Sequence, residues 1–170
     1  MKVSETLLHP TRVVWSVRQL RSLTRQVGST FGHELAEIAR YDPRSRWWTR
    51  LALTEGVELW LLSWLPGQAT PPHDHGGAAG SFTVVRGALT ERYRYPDSGE
   101  HRGLRRAGET VAFGAGRAHV VANTSVEPAL SVHAYSPPLV PTREYPSLAE
   151  IPARRVALPA RRGSVVVEVP

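Results

Sequence analysis

Residues 71–87 read PPHDHGGAAGSFTVVRG, and this stretch decides the fold. His73 and His75 flank a single residue, and side chains two apart on an extended strand point the same way. The two imidazoles therefore converge, while Asp74 points off. With Gly67 upstream and Gly87 at its end, the segment gives a G-x5-H-x-H…G pattern. Further on, Gly116, His119 and Asn123 give G-x2-H-x3-N. A third imidazole arriving from a later strand completes a three-nitrogen face on a metal, with positions left open for a substrate and oxygen.

The chain around these motifs has the texture of a small β-barrel. Short apolar runs at 47–52, 56–65, 81–86, 88–95, 109–113, 118–122, 128–135 and 164–169 are separated by turn residues such as Pro66-Gly67, Arg86-Gly87 and Pro96-Asp97-Ser98-Gly99. Ahead of them, residues 12–41 show helical spacing. Val14, Val17, Leu20 and Leu23 mark one stripe, and Phe31, Leu35, Ile38 and Ala39 mark another after a break at Gly28-Ser29. Ser29 or Thr30 is positioned to cap the second helix, and Asp42-Pro43 ends it. The reading is a mainly β chain: a helical flank over 1–46 and a jelly-roll-like barrel over 47–170, forming one structural domain.

Composition excludes several classes. With 170 residues and 41% hydrophobic content the chain can bury a core. No apolar run is long enough to span a membrane, and the N-terminus lacks a secretory pattern. Cysteine is absent, which suits a reducing cytoplasm and forbids any disulfide or thiolate ligand. The net charge is +6, and nearly all the basic residues are arginine. Two clusters, Arg102/Arg105/Arg106 and Arg154/Arg155/Arg161/Arg162, lack interleaved aromatics and a recognition helix. They read as solvated surface, not as a nucleic-acid interface. No nucleic-acid or membrane partner is expected, and the chain is expected to act as a monomer in the cytoplasm.

The paired motifs resemble those of the cupin family. Ala79 and Gly80 stand where many cupins place a metal-binding glutamate, and Gly114 stands where proline is usual. Three neutral imidazoles leave a divalent ion uncompensated, which favours an anionic ligand such as a thiolate from the substrate. Imidazole suits iron, zinc, copper and nickel alike, so the spacing does not name the metal. A second constellation lies on the strand at 128–135, where Ser131, His133 and Tyr135 alternate with Leu130 and Val132. On one face they would form a hydrogen-bonded row that fixes the imidazole tautomer and aims the phenol at the metal pocket.

Taken together, PPHDHGGAAGSFTVVRGALTERYRY and AGRAHVVANTSVEPALSVHAYSPPL resemble cysteine dioxygenase, a mononuclear iron cupin that oxidises a thiol to a sulfinic acid. The resemblance spans roughly residues 47–140. It implies that His73, His75 and His119 hold one Fe(II) per chain, and that Ser131, His133 and Tyr135 form the family's outer-shell triad. It also implies a cis peptide at Ser136-Pro137, L-cysteine and O2 as substrates, and Arg50 as the group that binds the substrate carboxylate beside Trp48. A guanidinium fork suits a carboxylate and keeps its charge. Gly80 stands where animal members carry a cysteine that crosslinks to the tyrosine, so Tyr135 should be an unmodified phenol. Trp48 stands where many members have tyrosine. The alternatives are a 3-mercaptopropionate dioxygenase, whose subgroup usually has glutamine at the position of Arg50, another cupin oxygenase with nickel or manganese, and a ligand-sensing cupin.

Overall fold

In a computed structural model, residues 5–138 and 142–152 are described. The strand expected at 164–169 and the arginine cluster at 154–162 lie outside them.

Three helices lead the chain: α1 (Glu5–Leu8), α2 (Val17–Thr30) and α3 (Gly32–Ile38). α2 starts at a capping box in which the Ser16 hydroxyl accepts from the Gln19 amide and the Gln19 side chain accepts from the Ser16 amide. The expected break at Gly28-Ser29 does not occur. α2 runs through Gly28, which lies against the barrel where an added Cβ would sit 3.2 Å from Thr83 Cγ2. The N-cap position of α3 is Phe31, which makes no side-chain cap, so neither Ser29 nor Thr30 plays that role. Leu20, Leu23 and Val27 are buried as the stripe requires, but Val14 is 79% exposed because it precedes the helix.

Ten strands follow: β1 (Trp48–Leu53), β2 (Glu58–Trp64), β3 (His73–Asp74), β4 (Ala79–Arg86), β5 (Ala88–Arg94), β6 (His101–Arg106), β7 (Thr110–Phe113), β8 (Ala118–Ala122), β9 (Ala129–Ser136) and β10 (Arg143–Glu144). They form two antiparallel five-stranded sheets, in the orders β1-β2-β9-β4-β7 and β10-β3-β8-β5-β6.

β9 shows how the fold creates its site. Every residue in it is buried, because both faces of this central strand are covered. Leu130, Val132 and Ala134 join Leu59, Leu61, Leu20, Leu23 and Val27 in the core between sheet and helices. Alternation then sends Ser131, His133 and Tyr135 to the barrel interior. The N-terminal helices thus cover the outside of the first sheet, and a polar row is left facing inward. Thr24 reinforces the joint, lying 2.8 Å from Ser81 Oγ and 3.1 Å from Thr83 Oγ1.

Candidate metal centre

β3 is only two residues long, yet it pairs with β8 so that His73 lies opposite His119. His75 follows directly. The three rings stand 4.8–5.0 Å apart between centroids, and one ligand atom from each lies within 4.8 Å of the others. Asp74 points the other way, as expected, and accepts from the Tyr145 hydroxyl at 2.6 Å and the Gly76 amide at 2.7 Å. Those bonds hold the turn around His73 and His75 in shape.

The orientation of each imidazole follows from its neighbours. His73 Nδ1 donates to the Pro71 carbonyl at 2.9 Å, which leaves the Nε2 lone pair toward the cluster. His119 Nδ1 lies 2.8 Å from Glu91 Oε1, again freeing Nε2. Both His75 nitrogens are buried without a partner. An orphaned imidazole beside two oriented ones fits a bound metal ion, since a buried unpaired nitrogen is costly. Burial, reinforced by the neighbouring imidazoles, holds His75 and His119 well below the ordinary imidazole pKa. His73 is lowered by burial too. All three are held neutral, as ligation requires.

Glu91 is a residue that sequence reasoning missed. It is fully buried on β5, and the oxygen facing His119 also lies 3.4 Å from Arg117 NH1. Burial raises its pKa, while Arg117 and Arg105 oppose that rise. A carboxylate missing at positions 79 and 80 is therefore present behind His119, at Glu91. The signal was legible: Leu89, Glu91 and Tyr93 alternate along one face of ALTERYRY, which puts a carboxylate on the inner side of a strand.

The row on β9 is assembled. Ser131 Oγ lies 2.8 Å from His133 Nε2, and His133 Nδ1 lies 3.2 Å from the Tyr135 hydroxyl. A fourth member, Trp64, donates from Nε1 to Ser131 Oγ at 2.8 Å. With that lone pair taken, the fully buried Ser131 hydroxyl has His133 Nε2 as its acceptor, so Nδ1 carries the ring proton and donates to Tyr135. The Tyr135 proton is then free to point into the cavity. Phe82 stacks on His133, and His75 stacks on Tyr135 at 4.6 Å, so the row is clamped against the histidine cluster. Burial keeps His133 neutral and raises the Tyr135 pKa well above the usual phenol value. The Ser136-Pro137 peptide is cis, as the resemblance implied.

All of this opens on one cavity of about 310 Å³. His73, His75, His119, His133 and Tyr135 line it together with Trp48, Trp60 and Trp64. Arg50 is absent from the lining. Its side chain is half exposed and donates to Glu58 Oε1 at 3.2 Å, a carboxylate it reaches diagonally across the β1–β2 pair. The guanidinium in the cavity belongs to Arg46, stacked 4.6 Å over the Trp64 ring with its Nε buried and unpartnered. Trp48 stands at the mouth, edge-on to Trp60 at 5.0 Å and 57% exposed.

Two antiparallel sheets closed around a three-histidine centre define a metal-binding cupin. Several solved structures share the fold. A Thermus thermophilus protein is 30% identical, with a TM-score of 0.55 over 61% of this chain and 94% of its own. A Klebsiella pneumoniae protein with a double-stranded β-helix domain is 19% identical, with a TM-score of 0.54 over 65% of this chain and 92% of its own. An oxalate decarboxylase from Lactobacillus farciminis is 12% identical, with a TM-score of 0.55, matching 65% of this chain and 34% of its own. The family model for cysteine dioxygenase type I matches residues 11–147, and the chain belongs to that family. By kind it is a cupin-type thiol dioxygenase, a non-haem metal enzyme acting on a small molecule and O2.

Proposed function

We propose that this chain is an iron(II)-dependent thiol dioxygenase that converts L-cysteine and O2 to cysteine sulfinic acid, with His73, His75 and His119 holding the iron. The observation that carries this reading is the shared cavity: three neutral imidazoles and the Tyr135 hydroxyl face the same 310 Å³ space. When bound, Fe(II) supplies a Lewis-acidic, redox-active centre at which a thiolate and O2 can meet.

The chain's own residues do the rest. Glu91 fixes the His119 tautomer and strengthens Nε2 as a donor to the metal. Trp64, Ser131 and His133 pass one hydrogen-bond direction along the row, so that Tyr135 donates from its hydroxyl toward the substrate or oxygen. Arg46 is the cation that lies within the cavity, and it takes the substrate carboxylate. That role passes to Arg46 from Arg50, whose guanidinium is engaged by Glu58. The three tryptophans exclude water from the anion–guanidinium contact, which strengthens it.

A second reading, 3-mercaptopropionate as substrate, is favoured by one feature. No carboxylate lines the cavity among the described residues, so no anionic side chain is offered to the ammonium of L-cysteine. Oxygen uptake after anaerobic Fe(II) reconstitution, run in parallel with L-cysteine, 3-mercaptopropionate and cysteamine, separates the two. L-cysteine should give the highest kcat/KM, and cysteamine, lacking the carboxylate, the lowest. Preference for 3-mercaptopropionate would replace the first reading with the second, and preference for cysteamine would remove Arg46 from both.

A further inference from the structure

Behind the metal centre, on the outside of the barrel, lies a second concave site with a different chemistry. A cavity of about 650 Å³ opens between the first turns of α2 and strands β6 and β7. Arg18 and Arg21 of α2, Arg105 of β6 and Arg117 line it, and no acidic side chain does. The first turn of α2 also lacks an acidic residue.

The arginines are set in place rather than merely crowded. Arg117 is 5% exposed, its guanidinium lies 3.4 Å from the centroid of the Tyr93 ring, and its NH1 pairs with Glu91. Its Nε is buried and has no partner. Arg105 lies back along its own strand over Gly103, where a Cβ would meet its guanidinium at 2.7 Å. A side chain there would displace it. Its Nε is likewise buried and unpartnered. Arg105 thus departs from the solvated-surface reading of its cluster. Glu91 is shared between Arg117 and His119. Four guanidiniums consequently surround a concave space with one buried carboxylate at its back.

Guanidiniums lining a cavity that has no acidic side chain in its wall are matched by an oxyanion with several equivalent oxygens. We infer that this cavity binds a phosphate group, either as inorganic phosphate or as a small phosphomonoester, whose oxygens face Arg18, Arg21, Arg105 and Arg117. The volume exceeds what a bare phosphate fills and leaves room for an organic substituent.

Isothermal titration of the full chain with inorganic phosphate and with phenyl phosphate tests it, against sodium chloride at matched ionic strength. Saturable binding with a dissociation constant on the order of 1 mM or tighter is expected for at least one of the two. The two arms show whether the free ion or the ester is preferred. Arg18→Ala/Arg21→Ala removes two exposed side chains, so the fold should survive, and binding should weaken about tenfold or more. Arg117→Lys keeps the charge but loses the fork, and should weaken binding as well. Heats no larger than those of sodium chloride for both ligands would overturn the proposal. So would unchanged affinity in the α2 double variant. Tighter binding of a short DNA duplex than of either phosphate, lost steeply with salt, would instead make the patch a polyanion surface and overturn the discrete site.

Discussion

Glu91 and His119, 28 positions apart in sequence, meet at 2.8 Å with both side chains essentially removed from solvent. This contact couples a carboxylate to the metal site without making it a ligand. It fixes which His119 nitrogen is free, and it makes that nitrogen a better donor. Glu91→Gln keeps the shape and one acceptor while removing the charge. Metal affinity should fall about 10–100-fold, read by anaerobic titration with Fe(II) or Co(II). Equal affinity in the variant would show that the contact is only structural. Glu91→Ala should do worse, because it strands the buried Arg117 and should destabilise by several kcal/mol.

Tyr135→Phe tests the row on β9 with little change in packing. The variant loses the hydroxyl that receives the His133 Nδ1 proton, at a cost of about 1–3 kcal/mol in stability. We expect kcat to drop about tenfold or more while metal content holds. Unchanged kinetics would confine the row to a structural role. Trp64→Phe should reproduce part of the effect from a distance, since it frees Ser131 to turn away from His133.

The two arginines separate cleanly by mutation. Arg46→Ala should raise KM for L-cysteine about tenfold or more, about 1.4 kcal/mol of lost recognition, without altering metal content. Arg50→Ala breaks a half-exposed ion pair at the sheet edge and should shift KM much less. The opposite ordering in steady-state oxygen uptake would return the carboxylate to Arg50, the position the family resemblance implies.

Gly80 is required by packing. It lies opposite Tyr135 in the β4–β9 register, and a Cβ there would fall 2.5 Å from Phe113 Cζ and 3.1 Å from Tyr135 Cδ1. Gly80→Cys should therefore cost about 1–3 kcal/mol through overpacking. Intact-mass measurement should show no thioether to Tyr135 unless Phe113 is also reduced, as in Gly80→Cys/Phe113→Ala. A crosslink in the single variant would mean that Phe113 yields easily.

The strands legible in the sequence were those carrying β-branched and apolar runs, such as SFTVVR and PALSVHAY, because side-chain periodicity there reflects burial. β6 (HRGLRR) escaped, since an edge strand with exposed arginines has no apolar face to read. β3 and β10 escaped because two residues carry no period. His73 and His75, like the Ser131–His133–Tyr135 row, were readable from local alternation, and His119 from the separate G-x2-H-x3-N pattern. Arg46 was not. Its place depends on the loop before β1 and on stacking over Trp64, while Arg50 is claimed by Glu58 beside a register shift between Arg50 and Ala52. Contacts set across strands leave no trace in local spacing.

The most direct test of a thiol dioxygenase is the fate of the oxygen atoms. The chain, reconstituted anaerobically with Fe(II), is given L-cysteine and isotopically labelled O2, and the product is weighed by mass spectrometry. The account predicts cysteine sulfinic acid carrying both labelled atoms, one O2 consumed per thiol, and no such product from His119→Ala. Cystine as the product, a sulfinate with one unlabelled oxygen, or full activity in His119→Ala would contradict it.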